Sequence, residues 1–413
     1  MRRHGKEVAM KMLYIVEDRF PPFRSDVVEL FAKQMTSRGH QINWLMQRGA
    51  DMFNLSSPTH WLGNTVYLTP RSKYKGLPGR VLNNLMGMWG DLMVFPLAFE
   101  GRYDVIQVRD KFFASLIAWL AARLTGARFI YWMSYPFAES KLHQANNRLV
   151  PHRRLVWLKG KIIWGLLYKV ILPLADHVFV QSEQMKKDVA RQGISPSKMT
   201  PVPMGIRSDQ VGRAEDSIVL NTQAPLLLHL GVIMRLRESE MLVRVLQRVR
   251  LRYPGARLLY VGEGLLSSDR QAVEDEASRL GLSSAVTVTG FLPMEQAWEH
   301  VKRADICLSA IAPIPIFLVS SSTKLIEYMA MAKCVVANEL PEQRQVIETS
   351  GVGRCVRWNE QIFADEICGL LDDPERARKM AARGPKWVRE HRTYDVITDL
   401  VESKYRELLE KKT

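Results

Sequence analysis

Short apolar runs, spaced by helix-length segments, constrain this chain more than any other feature. In the first half they fall at 12–16, 41–46, 105–108, 128–133, 177–180 and 199–203. In the second half they fall at 226–230, 258–261, 286–289, 305–308, 334–337 and 354–357. Helical patterns lie between most of them, at 27–38, 112–125, 182–192, 240–253, 269–280, 294–303, 324–333 and 361–371. A continuously apolar strand needs cover on both faces, and helical crossovers make neighbouring strands parallel. Two such series predict an α/β chain of two Rossmann-like, doubly wound domains. Pro201, Pro203-Met204-Gly205 and the polar stretch Ser208 to Gln223 punctuate the middle. The expected domains are therefore 1–205 and 206–389. A charged helix at about 390–413, after the Gly384-Pro385 break, is expected to pack back on the first.

A chain of 413 residues has room for two domains. No apolar run reaches the roughly 18–20 residues of a membrane span. Behind the basic start, Lys11 to Asp18 reads as a first strand, not a secretion signal. Cys307, Cys334, Cys355 and Cys368 form no Cys-x-x-Cys pair. They read as small hydrophobes in a reducing compartment, and neither zinc nor another metal is expected.

The net charge of +15 falls wholly on residues 1–205, which carry 29 Lys+Arg against 14 Asp+Glu. The remainder is neutral, so the halves should meet different partners. Ser140 to Ala175 contains no acidic residue, and Arg153, Arg154, Lys159 and Lys161 alternate there with Trp157 and Trp164. Such a segment suits a surface helix lying on anionic lipid headgroups. A connecting helix with solvated cations is the plain alternative. No nucleic-acid motif accompanies the patch, and no nucleic-acid partner is expected.

One segment carries most of the chemistry. Ser320 to Thr323 run into a helix pattern from Lys324. Uncapped N–H groups at a helix start attract phosphate. Glu327, one turn inside, would repel phosphate but suits a ribose hydroxyl. The same residues also describe an ordinary capped helix. After the strand 226–230, Arg235 and Arg237 sit where ligands of such sheets bind, and guanidinium groups match phosphate oxygens.

The order of these features resembles the retaining glycosyltransferases of family 4, with the GT-B fold. The resemblance includes Val261-Gly262-Glu263-Gly264, Thr289-Gly290-Phe291, Ser321 to Ala330 and Pro341 to Ile347. In the first half it includes Phe20-Pro21-Pro22-Phe23, Ser37-Arg38-Gly39-His40 and Val202-Pro203-Met204-Gly205. It implies two domains facing each other across a cleft. Glu327 matches the second glutamate of the family's Glu-x7-Glu motif, which grips the donor ribose. Backbone around Ser322, Thr323 and Lys324 would hold the donor diphosphate, and Leu292 would offer backbone to the base. Arg237 and Arg235 would neutralise the departing nucleoside diphosphate. In the first domain Arg24 and Ser25 stand in the usual glycine-rich loop, and Ser134 and Tyr135 where a histidine is usual. The first glutamate of the motif is replaced by Val319.

The resemblance implies a metal-independent hexosyltransferase, peripheral at the cytoplasmic membrane face. It would move a sugar from a nucleotide-sugar to a lipid-linked or polysaccharide acceptor, with no cofactor. No Asp-x-Asp occurs in the chain, which disfavours a metal-dependent mechanism. A nucleotide-sugar epimerase of the same fold and a non-catalytic nucleotide-binding homologue are the alternatives.

Overall fold

The computed structural model describes residues 9–74, 76–216 and 220–411. It divides into two compact units, Met1–Pro203 with Ile397–Thr413, and Met204–Val396. The chain thus returns to the first unit through its last helix, Tyr394–Glu410.

The first unit is built on eight strands: β1 (Lys11–Arg19), β2 (Gln41–Gln47), β3 (Thr59–Trp61), β4 (Asn64–Thr69), β5 (Val105–Arg109), β6 (Arg128–Met133), β7 (His177–Val180) and β8 (Met199–Pro201). Their order is β3-β4-β2-β1-β5-β6-β7-β8. The β3–β4 pair is antiparallel, and the others are parallel. Met12 to Val16 and all of β5 are buried, as continuous apolar character demands of strands covered on both faces. Aromatic rings pack beside them. Tyr14 stacks on Trp44 at 4.9 Å, Phe31 meets Trp132 at 5.2 Å, and Tyr405 of the last helix meets Phe179 at 5.3 Å.

In the second unit, β9 (Leu226–Leu230), β10 (Arg257–Val261), β11 (Val286–Val288), β12 (Ile306–Ser309), β13 (Cys334–Asn338) and β14 (Arg354–Val356) form one sheet. Its order is β11-β10-β9-β12-β13-β14, and every pair is parallel. The strand sequence reverses direction between β9 and β12. All four cysteines are free thiols.

Several elements differ from expectation. The hairpin β3–β4 and the helices Gly76–Asp91, Val94–Gly101 and Phe137–Asn146 were not anticipated. The acid-free stretch is not one helix. It breaks around Pro151, where Arg148 and His152 take positive φ, and resumes at Arg153–Leu166. There only Gly160 is buried; a Cβ at that position would lie 3.0 Å from Leu142. Among the described residues, no helix is long and apolar enough to cross a membrane.

Candidate functional site

Doubly wound sheets bind ligands at the carboxyl ends of strands where the order reverses. In the second unit that point lies beyond β9 and β12. The β9 turn is close-packed: Gly231 N–H donates to the Val261 carbonyl at 2.9 Å. A Cβ on Gly262 would meet the Gly231 oxygen at 2.2 Å, so only glycine lets these two turns approach. The chain then forms the short turn Arg235–Arg237. Arg235 is exposed, and its backbone N–H donates to Asp269 at 3.1 Å. Arg237 is half-buried, with its guanidinium 5.5 Å from the centre of the Phe317 ring.

The helix Thr323–Ala330 starts at Ser322, which makes no side-chain cap. The serines before it turn elsewhere. Ser322 Oγ lies 3.2 Å from Ser309 Oγ, while Ser321 Oγ donates to Glu342 at 2.7 Å and accepts from Met204 N–H. The first amides of the helix therefore lack side-chain acceptors, and the macrodipole adds a partial positive charge there.

Lys324 is buried, and its Nζ lies 3.3 Å from His229 Nε2. His229 sits in β9, with Nδ1 3.2 Å from the Leu308 carbonyl. With the Nδ1 proton on that carbonyl, Nε2 is left to accept from the lysine. Burial, then Arg237, pushes the Lys324 pKa well down, and Glu327 pulls it back. Burial, then Lys324 and Arg237, pushes His229 down as well. Glu327 is half-buried, and burial lifts its carboxyl to about 7 against the pull of Trp298 and Lys324. The Trp298 contact is loose, since Nε1 completes no well-formed hydrogen bond. Lys324 thus feels Arg237 on one side and Glu327 on the other. A buried lysine at an open helix start lies within electrostatic reach of Arg237, with a carboxyl a turn away.

Behind the loop, Glu342 pairs with Arg392 at 2.7 Å, both largely buried. Gln343 Nε2 donates to the carbonyls of Ser309 and Asn338. Val319 is buried, so no side-chain acid stands at the position eight residues before Glu327. Leu292 is half-buried against the core, following the turn at Gly290.

In the first unit, Arg24 pairs with Asp18 at 2.9 Å, and Ser25 precedes a helix running from Asp26. Asp26 pairs with Arg109 at 2.9 Å. Ser134 Oγ and N–H both donate to the buried Asp110. Burial lifts that carboxyl to about 6, against Arg109 and Ser134. Tyr135 is committed to packing: its ring lies 5.0 Å from Phe137 and its hydroxyl donates to Ser140. On the Arg153–Leu166 helix, Arg153, Arg154, Lys159 and Lys161 are exposed, as is Trp157. Trp164 is half-buried, with Lys161 and Lys169 over its ring at 5.9 and 5.4 Å.

A family profile described as "Glycosyl transferases group 1" matches residues 224–373, and one described as "Glycosyl transferase 4-like domain" matches residues 25–205. The chain belongs to the group 1, family 4 glycosyltransferases. It is 27% identical, over 196 residues, to a D-inositol 3-phosphate glycosyltransferase of Segniliparus rotundus. That match spans 46% of this chain and only 42% of the relative's length. The sucrose-phosphate synthase of Thermosynechococcus elongatus superposes with a TM-score of 0.71 at 17% identity, covering 97% of this chain and 100% of that one. Anabaena Alr3699/HepE in complex with UDP gives 0.70 at 15%, covering 96% and 100%. These likenesses establish the GT-B fold for this glycosyltransferase.

Sequence reasoning missed two side chains at the glycosyltransferase's second-unit site. His229 reads as one polar interruption in an apolar strand. Its position one residue before the strand ends, followed by Gly231, was the available signal. Trp298 lies within a regular helix, Met294–Arg303, and nothing local marks it.

Proposed function

We propose that this glycosyltransferase moves a hexose, with retained configuration, from a nucleotide-sugar to a lipid-linked or glycan acceptor at an anionic membrane surface. The donor diphosphate would rest on the open start of the helix Thr323–Ala330, between Lys324 and Arg237. Arg235, more exposed, would contribute at longer range. Ionised Glu327 would accept from ribose hydroxyls, and backbone near Leu292 would meet the base. The observation that carries this reading is the buried Lys324 amine, 3.3 Å from His229 Nε2 and within reach of the Arg237 charge. Such crowding of basic groups is unfavourable until an anion occupies the point. That Anabaena Alr3699/HepE was solved with UDP and with UDP-glucose supports a donor of this kind.

The chemistry follows from these groups. When the sugar–phosphate bond breaks, charge develops on the diphosphate. Preformed N–H groups and cations stabilise it without reorganising. The acceptor then bonds on the face the leaving group vacated, which requires positioning more than a strong base. Lys324, Arg237 and the helix start can supply this stabilisation without a metal. For the membrane, exposed Arg153, Arg154, Lys159 and Lys161 flank exposed Leu155, Trp157 and Ile162, a composition that suits the lipid interface.

The test is a thermal-shift screen against uridine, guanosine and adenosine diphosphates and their sugar conjugates, followed by product analysis. One nucleotide series should stabilise the protein, and its sugar conjugate should be consumed with retention at the anomeric carbon. No stabilisation by any of them would overturn the proposal, as would epimerised donor as the sole product.

A further inference from the structure

The first unit contains a cavity of about 1120 Å³, just above the roughly 300–1,000 Å³ usual for small-molecule sites. Its wall includes Arg19 at the end of β1, Arg48 just beyond β2, Thr69 at the end of β4 and Asp110 just beyond β5. The sheet order reverses between β1 and β5, so the cavity occupies the first sheet's ligand-binding edge.

Its lining mixes charge and hydrocarbon. Arg19, Arg48, Arg71, Lys111, Lys141 and Lys159 contribute positive charge against Glu17, Asp91 and Asp110. Lys111 is taken up by Asp91. Arg48 donates to the carbonyls of Met52 and Leu55, and Arg71 to the carbonyl of Arg48. Burial, then the charge of Arg19, pushes the Arg71 pKa down, and Asp51 pulls it partly back. Cations that crowd one another in this way gain from an anion placed among them.

Hydrocarbon lines much of the rest, with Lys159 on the same helix as most of it. Met88 comes from the helix Gly76–Asp91, and Leu155, Leu158, Ile162 and Leu166 from the helix Arg153–Leu166. Leu155 is 67% exposed, Ile162 60% and Leu158 51%. Elsewhere on the helix Gly76–Asp91, Leu85 and Trp89 are also exposed. Exposed apolar residues clustered like this mark a binding surface.

We infer that this cavity binds an amphiphile, with a phosphate headgroup among Arg19, Arg48 and Arg71 and a hydrocarbon chain along Leu155, Leu158 and Ile162. Resting on the proposed transfer to a lipid-linked acceptor, this names the acceptor as a phosphate-bearing lipid and places it. A free sugar or free phosphate would leave the apolar wall in water, and an uncharged lipid would leave the cations without a partner.

The experiment is calorimetry on the full chain with three probes: decyl phosphate below its micelle concentration, decyl glucoside and inorganic phosphate. Decyl phosphate should bind at least tenfold more tightly than either of the others. Arg48→Ser with Arg71→Ser should cost it at least tenfold. Leu158→Ser with Ile162→Ser should cost a similar factor, yet leave inorganic phosphate unaffected. The latter pair is exposed on a helix face, so circular dichroism and the unfolding midpoint should stay at wild-type values. Equal affinity for decyl glucoside, or wild-type decyl phosphate affinity in the Leu158/Ile162 variant, would overturn the inference. The two readings fail separately. Decyl phosphate failing to bind a protein that still binds its nucleoside diphosphate removes the acceptor assignment alone.

Discussion

Lys324 Nζ stands 3.3 Å from His229 Nε2 inside the second unit. Burial, then the charge of Arg237, lowers the lysine's affinity for a proton, and burial, then the charge of Lys324, lowers the histidine's. An arriving diphosphate reverses this balance. Lys324 should therefore gain protonation on nucleoside diphosphate binding, and affinity should fall as pH rises past the depressed pKa of the empty protein. Calorimetry in two buffers of different ionisation heat reads the uptake directly; a proton count of zero would contradict it. The empty protein carries the opposite sign. Between the depressed pKa and the unfolded value near 10.5, the folded state binds fewer protons, so stability rises with pH. Lys324→Met should raise the unfolding midpoint at neutral pH while weakening nucleotide binding by about 1.5–3 kcal/mol.

Arg237 and Arg235 should separate cleanly. Arg237 is half-buried over Phe317, and its charge reaches both Lys324 and His229. Arg237→Ala should weaken nucleoside diphosphate binding by about 1.5–3 kcal/mol, as loss of a charge-assisted contact does. Arg235 is exposed, and its substitution should cost about 0–1 kcal/mol, as for a solvated charge. Titration of both variants under identical salt checks the ranking, and equal losses would count against it.

Much of this arrangement could be read from the residues, for a physical reason. Parallel strands covered on both faces are continuous apolar runs, so β6, β7 and β9 fall at the expected residues. Lys324 and Glu327 share one helix after a serine run, which sets their spacing. What escaped has causes equally local. The β3–β4 hairpin turns on Leu62 and Gly63, both with positive φ. Leucine rarely adopts that conformation and does not announce a turn. The helix Gly76–Asp91 contains Gly79, Gly87 and Gly90, poor formers that hide a helical period. His229 needed the fold, because its partner is 95 residues away.

Glu327 should impose a pH dependence. Its carboxyl is lifted to about 7 by burial, so half of it carries a proton near neutral pH. A neutral carboxyl is the poorer acceptor for ribose hydroxyls. Turnover should thus rise through about pH 7, and Glu327→Gln should flatten that limb and reduce turnover more than nucleoside diphosphate affinity. Stability runs the other way. A raised carboxyl pKa makes the folded state bind more protons, so stability falls as pH climbs from about 4.5 to about 7. Glu327→Gln should therefore raise the unfolding midpoint more at pH 8 than at pH 5, by about 2 kcal/mol of relief. An identical gain at both values would place the carboxyl elsewhere on the pH scale.

The pair Arg392–Glu342 should matter for folding and, through Ser321, for the donor loop. Burial raises the Glu342 pKa against Arg392 and Ser321, so removing the arginine leaves a buried acid without its counterion. Arg392→Met should cost about 3–5 kcal/mol. Adding Glu342→Gln should recover part of that, since the stranded charge is gone. Denaturant unfolding of the single and double variants measures the recovery; additive losses would argue that the pair is not coupled.

At the far end of the chain, Glu402 fastens the last helix to the first unit. It accepts from Arg38 at 2.8 Å, His40 at 2.9 Å and Arg406 at 2.6 Å. Burial alone would raise its pKa, yet these donors win and hold it at about 2. A depressed carboxyl contributes stability above its unfolded value near 4.5 and loses it as pH falls toward about 2. Glu402→Gln should therefore loosen the helix Tyr394–Glu410 at pH 7, by about 1–3 kcal/mol as for a lost charged hydrogen bond. The gap between variant and wild type should narrow steadily in acid. Hydrogen exchange along that helix is the direct readout, because it isolates local opening from unfolding of the other unit. Protection that drops equally at pH 7 and pH 3 would show that the carboxylate's charge is not what holds the helix down.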